Sequence, residues 1–294
     1  AGAIPPRARA LTIADYVASR LGGVVATDAT HAASWGLCDL RRRRWDEELV
    51  ARLGLPSGLL PGIRPDLAEL GPLREDLGLP PQVTVRLPLG DNQASYIGAC
   101  GFGGDALLLN LGTGGQVSLP VPAFATCAGL ETRPLPFGGF LLVGASLCGG
   151  RAYAVLERFF RQTVEAFGGR APAPGELYGA MDRLAAAAAG ELSVDTRFAG
   201  TRLDPAARGR IDGIGIDTFT PGALARGVTR GMIRELAEMV PHDRRGRCVR
   251  VVVSGNAIRR NPLAMPFVGE AFGLPCTAAD APEAALIPDI EVIP

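Results

Sequence analysis

Three short stretches place glycine beside a polar or acidic residue at the end of an apolar run. They are Gly90-Asp91, Gly112-Thr113-Gly114-Gly115 and Ser254-Gly255-Asn256. Each can turn backbone N–H groups toward an anion, because glycine puts no Cβ in the way of a phosphate. Glycine at a strand end is commonplace, and on its own the Gly112 stretch reads as a hairpin turn. Asp91 on its own reads as a helix cap. Taken together the three stretches fit phosphoryl transfer. That chemistry needs a base to orient and deprotonate the acceptor hydroxyl, and donors to hold the phosphates. Asp91 suits the first task and the Gly-Thr turn the second. One carboxylate can cap a helix and face a substrate at once.

The elements around these stretches must hold them. Residues 83–90 read as a strand and Asp91 to Gly101 as a helix of small residues that can pack closely. Ala106 to Leu111 and Gln116 to Leu119 flank the Gly112 turn as a β-hairpin. "GGFLLVGASLCGG" is a strand ending in glycines, followed by a patterned helix from Arg151 to Phe167. "CVRVVVSGNAIRRNP" is a continuous apolar run, which predicts a buried central strand leading into the Ser254 turn. Helices are further expected over Leu11 to Leu21, closed by Gly22-Gly23, within 171–190, and over Leu224 to Met239. Met181, Leu184 and Leu192 are expected in the core. Core packing is also the expected role of Trp45, Tyr153, Phe159 and Phe160. Gly54 to Pro81, rich in Pro, Leu and Gly, reads as a connection between domains. The basic run Arg41 to Arg44 reads as a solvated face or turn. Strands alternating with helices give an α/β class.

Composition excludes several function classes. At 294 residues, 47% of them hydrophobic, the chain has enough apolar material for one large or two medium domains. Net charge is zero, which argues against nucleic acid or an acidic membrane as the main partner. All 30 basic residues are Arg, so a Walker-type lysine is ruled out. The six Cys are scattered with no C-x-x-C spacing and read as reduced thiols of a cytoplasmic protein. The two His lie far apart, and no metal-ligand spacing is present. No apolar run approaches the length of a membrane span.

The pattern "GDNQAS…LNLGTGGQVS…VGASLCGG…RVVVSGNAIRRNP" resembles the C-terminal half of the FGGY carbohydrate kinases. The resemblance implies an actin/hexokinase-like fold of two ribonuclease-H-like domains around a cleft. It implies ATP and Mg²⁺ as cofactors and a small sugar as partner. It makes Asp91 the catalytic base, with Gln93 beside it toward the substrate. It places Gly112, Thr113 and Gly114 in a phosphate loop, and Gly144 and Gly149 in a segment near the nucleotide. Gly255, Asn256 and Arg260 fall where nucleotide contacts are expected. "TDATHAASWGLCDLRRRRWDEELVARLGL" is similar to the stretch closing the family's first domain. Asp28, Asp39 and Trp45 keep their places there, but His31-Ala32-Ala33 stands where Asn-Ala-Ser is usual. Residues 1–83 are thus expected to belong to the first domain and its linker, and 84–294 to the nucleotide-binding domain. Gly200-Thr201-Arg202, Asp204-Pro205 and Ala207-Arg208-Gly209 resemble sedoheptulokinases more than xylulokinases, which typically carry G-E-R there. A ketose such as sedoheptulose is the expected substrate, with a xylulokinase-type pentulose kinase as the alternative.

The family opens on a D-x-G-T phosphate loop, and no such segment occurs in this sequence. From Ile287 onward the chain also leaves the family's pattern. Without that loop one wall of phosphate contacts is missing, and such donors can be worth about 3–4 kcal/mol each. The expectation is therefore a poor catalyst, or a silent one that retains nucleotide binding. An exposed apolar edge is expected near Ile13 to Leu40.

Overall fold

A computed structural model of the chain describes residues 4–5, 7–56, 58–74, 83–257, 261 and 263–279. The chain forms two compact units. The first comprises Ala1–Ser95, Val121–Ala125 and Thr132–Leu141, and the second Tyr96–Pro120, Thr126–Glu131 and Leu142–Pro294.

The first unit begins with helix α1 (Ile13–Gly22). Thr12 caps it by accepting the Asp15 N–H, and Gly23, at φ +80°, ends it in the left-handed conformation. Strand β1 (Ala26–Thr27) follows, then the short helix α2 (Ala29–Ala32) and a 3₁₀ turn, Ala33–Trp35. A hairpin of β2 (Cys38–Asp39) and β3 (Arg44–Trp45) leads into helix α3 (Glu47–Arg52). Strand β4 (Gly62–Ile63) pairs parallel with β1. Strands β5 (Glu69–Pro72) and β6 (Thr84–Arg86) pair antiparallel. Ala18, Ala26, Leu70, Leu73, Val85 and Leu87 form the core beneath α1. Gly22 is glycine because a Cβ there would stand 2.9 Å from that of Leu70. The stretch expected as a linker thus carries β4 and β5 and buries Leu70 and Leu73. Ile13, Tyr16 and Val17 of α1 are exposed, but this is a helix face and not a sheet edge, since β1 within the same span pairs with β4.

The basic run differs in part from its expectation. Arg41, Arg42 and Arg44 are exposed, as a solvated turn requires. Asp39 closes that turn by accepting the N–H groups of Arg41 and Arg42. Arg43 instead folds inward at φ +50°. Its guanidinium donates to the carbonyls of Leu135 and Gly139, both at 2.9 Å, pairs with Asp66 and lies over the Phe140 ring. Its planar fork serves three acceptors at once, which an ammonium cannot reproduce. Arg43→Ala is expected to cost about 2–3 kcal/mol in urea unfolding, the range for hydrogen bonds to a charged group. Arg43→Lys should recover less than half of that loss.

Helix α4 (Asp91–Cys100) runs from the first unit into the second. The sheet of the second unit is built on β7 (Ala106–Leu111) and β8 (Gly115–Val121), an antiparallel hairpin around the Gly112 turn. Strands β9 (Glu131–Pro134) and β10 (Phe140–Ser146) follow, then helices α5 (Gly149–Ala166) and α6 (Pro174–Ala187). A small antiparallel pair, β11 (Ser193–Asp195) and β12 (Arg210–Asp212), precedes the long helix α7 (Pro221–Met239). After a 3₁₀ turn, His242–Arg247, come β13 (Arg250–Ser254), helix α8 (Ala264–Phe272) and β14 (Cys276–Ala278). The sheet order is β14-β13-β7-β8-β10-β9, with β13 parallel to both β7 and β14. The antiparallel β7–β8 hairpin, continued beside β7 by the parallel strands β13 and β14, fits the ribonuclease-H-like plan of the actin/hexokinase-like fold. The apolar runs of β7 and β13 are central and buried, as their sequences predict.

Met181 and Leu192 are buried as expected, but Leu184 is 48% exposed. Helix α6 buries Leu177, Met181 and Ala185, one residue every fourth position, and Leu184 falls off that stripe. Tyr153 is buried and donates to Asp182 at 2.7 Å, whereas Phe159 is 54% exposed and Phe160 alone of that pair packs on the core. Trp45 is half-buried, donates to the Pro61 carbonyl and packs edge-on to Trp35. All six cysteines are unbridged, three of them buried.

Candidate functional site

The second unit brings three glycine-bearing segments together. Pairing of β13 with β7 sets Ser254 opposite Asn110, so Gly255 emerges beside the end of β7 where the Gly112 turn starts. Gly255 has φ +98°, and a Cβ there would overlap the Leu111 carbonyl and reach 2.8 Å from Asn110 Oδ1. Helix α5 docks its first residues on the same turn. The Gly150 N–H donates to the Gly112 carbonyl at 2.8 Å, and the Arg151 N–H to that of Thr113 at 3.0 Å. A Cβ on Gly149 would overlap the Gly114 backbone, and one on Gly150 would stand 2.7 Å from the Gly112 oxygen. Only glycine permits this approach, and it packs backbone on backbone at the carboxyl ends of two parallel strands, where α/β sheets bind ligands. Thr113, Gly114 and Asn256 are exposed there. Of these glycines Gly112 has open space at its Cβ position.

Gly144 lies within β10, and a Cβ there would meet Leu130 at 2.8 Å and Met239 at 2.9 Å, a packing reason for glycine that needs no ligand. Arg260 lies outside the described residues, as does the stretch from Ile287 onward. Among the described residues no group of His, Cys, Asp or Glu side chains could hold a metal ion, and no helix is long and apolar enough to cross a membrane.

In the first unit, Asp91 opens α4 and is exposed. Gly90 acts as the cap, its carbonyl accepting the Ala94 N–H at 2.9 Å, while Asp91 accepts the Asn92 N–H at 2.6 Å. The Gly90 N–H donates to the Thr30 hydroxyl at 2.8 Å. Gln93 is buried, and its amide donates to the Pro134 carbonyl at 3.1 Å. Its Oε1 would stand 2.7 Å from a Cβ on Gly90, so Gln93 packs against the turn that presents Asp91.

A feature not legible in the sequence is a cavity of about 680 Å³ in the second unit, lined by Glu131, Asp195, Arg197, Arg202, Arg234 and Glu235 among others. Arg197 pairs with Asp195 and holds that carboxyl below the usual range, and Arg202 pairs with Glu131. Glu235 accepts from Thr196 at 3.1 Å and bonds to Ser146, yet burial pushes its carboxyl up. The cavity forms where Gly227 and Gly231 let α7 pass directly over β11, since a Cβ on either would overlap the Leu192 or Val194 carbonyl. Only the Gly200-Thr201-Arg202 loop hinted at this region, because the β11–β12 pairing spans a long loop. Between the ordinary and the raised pKa of Glu235 the native state holds the extra proton, so its contribution to stability falls as pH rises through that window. Glu235→Gln keeps the hydroxyl partners and removes the titration. Its stability relative to wild type, from urea unfolding, is expected to increase with pH across that window.

Residues 7–98 match the N-terminal domain of the FGGY family of carbohydrate kinases. Sedoheptulokinase of Mus musculus is 29% identical over 282 residues, covering 90% of this chain and 58% of that protein. Sedoheptulokinase of Homo sapiens is 28% identical over 293 residues, covering 94% and 60%. The chain thus spans a little under two thirds of these relatives. Xylulose kinase from Rhodospirillum rubrum shares the fold at a TM-score of 0.80 and 22% identity, over 92% of this chain and 55% of that one.

Proposed function

We propose that this chain, whose residues 7–98 match the FGGY family of carbohydrate kinases and which is 28–29% identical to two sedoheptulokinases, acts in ATP-dependent phosphorylation of a ketose, with sedoheptulose as the first candidate. The observation that carries this reading is the convergence of Gly112–Gly115, Gly149-Gly150 and Gly255-Asn256 on the ends of β7 and β13. In this reading backbone N–H groups of the Gly112-Thr113-Gly114 turn hold the nucleotide phosphates, with Gly149-Gly150 packed against that turn, and Mg²⁺ arrives with those phosphates. Asp91 accepts the proton of the sugar's terminal hydroxyl. That oxygen forms its bond to the γ-phosphorus while the bond to the bridging oxygen breaks and ADP leaves. An exposed carboxylate at the head of a helix is free to accept that proton. Sedoheptulose is put first because of the relatives at 28–29% identity and the Gly200-Thr201-Arg202 loop.

The test is phosphate transfer from ATP to sedoheptulose, D-xylulose and glycerol, run beside ADP-induced thermal stabilisation. Transfer highest with sedoheptulose is the expected result. A preference for D-xylulose would move the chain to the pentulose kinases. ADP stabilisation without transfer to any of the three would leave nucleotide binding as this chain's own activity.

A further inference from the structure

A buried polar chain in the first unit ends one residue before Asp91 and is centred on His31. Asp15 of α1 and Asp28 ahead of α2 are both fully buried. Asp15 Oδ2 accepts the hydroxyls of Thr12 and Thr27, each at 2.8 Å, while its Oδ1 has no hydrogen-bond partner and lies 3.9 Å from His31 Nδ1. The same ring nitrogen, His31 Nδ1, is 3.1 Å from Asp28 Oδ1. The Pro88 carbonyl is a further acceptor facing the ring. Asp28 also accepts the Thr30 hydroxyl, at 2.7 and 2.9 Å, and Thr30 in turn accepts the Gly90 N–H at 2.8 Å.

We propose that His31 is a positioning residue for Asp91: carrying a proton beside Asp15 and Asp28, it fixes through Asp28 and Thr30 the Gly90 amide that heads α4. Two buried carboxylates that share one neighbour need a compensating cation, and His31 Nδ1 faces both. Two carboxylates facing Nδ1, with the Pro88 carbonyl as a further acceptor for the ring, favour the protonated imidazole. The Thr30 hydroxyl has a single proton, which goes to Asp28, leaving its oxygen to accept from Gly90. The chain therefore has one direction, from Gly90 N–H through Thr30 to the Asp28 carboxylate, with the His31 N–H holding that carboxylate from its other side. Links of this kind strengthen one another. The groups facing His31 are Asp15, Asp28 and the Pro88 carbonyl; Asp66 also acts on Asp28 but is itself paired with Arg43. The balance favours the protonated ring despite burial. Its contribution to stability is present below the ordinary histidine pKa and is lost as pH rises through the raised one. His31 also occupies the position where the family usually has Asn, so the device belongs to this chain.

The consequence for catalysis rests on Asp91 being the base, and the test reads the turn separately from the reaction. NMR of the whole chain follows the ring signals of its two histidines and the Gly90 amide against pH. The expected result is a Gly90 shift that titrates at the His31 midpoint, above the ordinary histidine value. His31→Gln should remove that step, and Thr30→Val should speed Gly90 amide exchange at least tenfold. A Gly90 amide that stays still while the His31 ring titrates overturns the proposal. So does a His31 midpoint at or below its ordinary value, and both readings need only wild type should a variant fail to fold. In the transfer assay, His31→Gln should lower kcat and leave KM for ATP unchanged. If Asp91→Asn is fully active while Gly90 still follows His31, the base assignment fails and the coupling stands.

Discussion

Asp91→Asn is expected to lower phosphate transfer from ATP to the preferred ketose by about 10²–10⁴-fold, the range for a positioned general base. ADP-induced stabilisation should stay within error of wild type, because the glycine turns proposed to hold the nucleotide lie in the second unit, among other residues. The substitution is nearly isosteric and falls on an exposed residue that accepts the Asn92 N–H. An asparagine oxygen can still accept that bond, so the fold should be preserved and the loss confined to kcat. A fall in kcat with KM unchanged would mark an interaction made only in the transition state. Equal rates for the two proteins would remove Asp91 from the reaction.

How far this site was legible in the sequence depends on the range of the interactions. The Gly112 turn, the helix at Asp91 and the central run of β13 follow from local pattern, and each forms where periodicity and turn chemistry place it. The resemblance supplied the roles. What pattern could not show is which partner each residue meets across the fold. Arg43 sits in a run that reads as solvated, yet its acceptors Leu135 and Gly139 lie more than 90 positions away. Gly144 sits in a segment that reads as nucleotide-facing, and its closest neighbours are Leu130, Met239 and Val117. Leu184 misses the core by a single position on α6, a rotation that an alanine-rich sequence does not fix. His31 was visible as a departure from the family's Asn. That its Nδ1 faces two buried aspartates depends on α1 delivering Asp15 from 16 residues upstream.

Gly255→Val is expected to have the largest effect on the glycine turns proposed to hold the nucleotide. Two penalties act together. Valine is β-branched and must hold φ near +98°, a strain of about 1–3 kcal/mol. Its Cβ must also displace the Leu111 carbonyl and Asn110 Oδ1, both at the buried end of β7, an overpacking cost of about 1–3 kcal/mol more. The pairing of Ser254 with Asn110 stands between these groups and the rest of the sheet, so the strain cannot be shed into a loop. Movement of Leu111 is passed directly to Gly112, whose carbonyl anchors the first turn of α5. The expected result is a lower Tm together with loss of ADP-induced stabilisation, even at temperatures where the variant remains folded. Gly175→Ala is the control, since that glycine lies in α6 with open space at its Cβ position and should be neutral or stabilising by about 0.5–1 kcal/mol. If Gly255→Val kept its full ADP shift, the three glycine segments would be a packing solution for the sheet and the phosphates would bind elsewhere. If it lost the shift while Asp91→Asn kept it, nucleotide binding and proton removal would be assigned to different units of the chain.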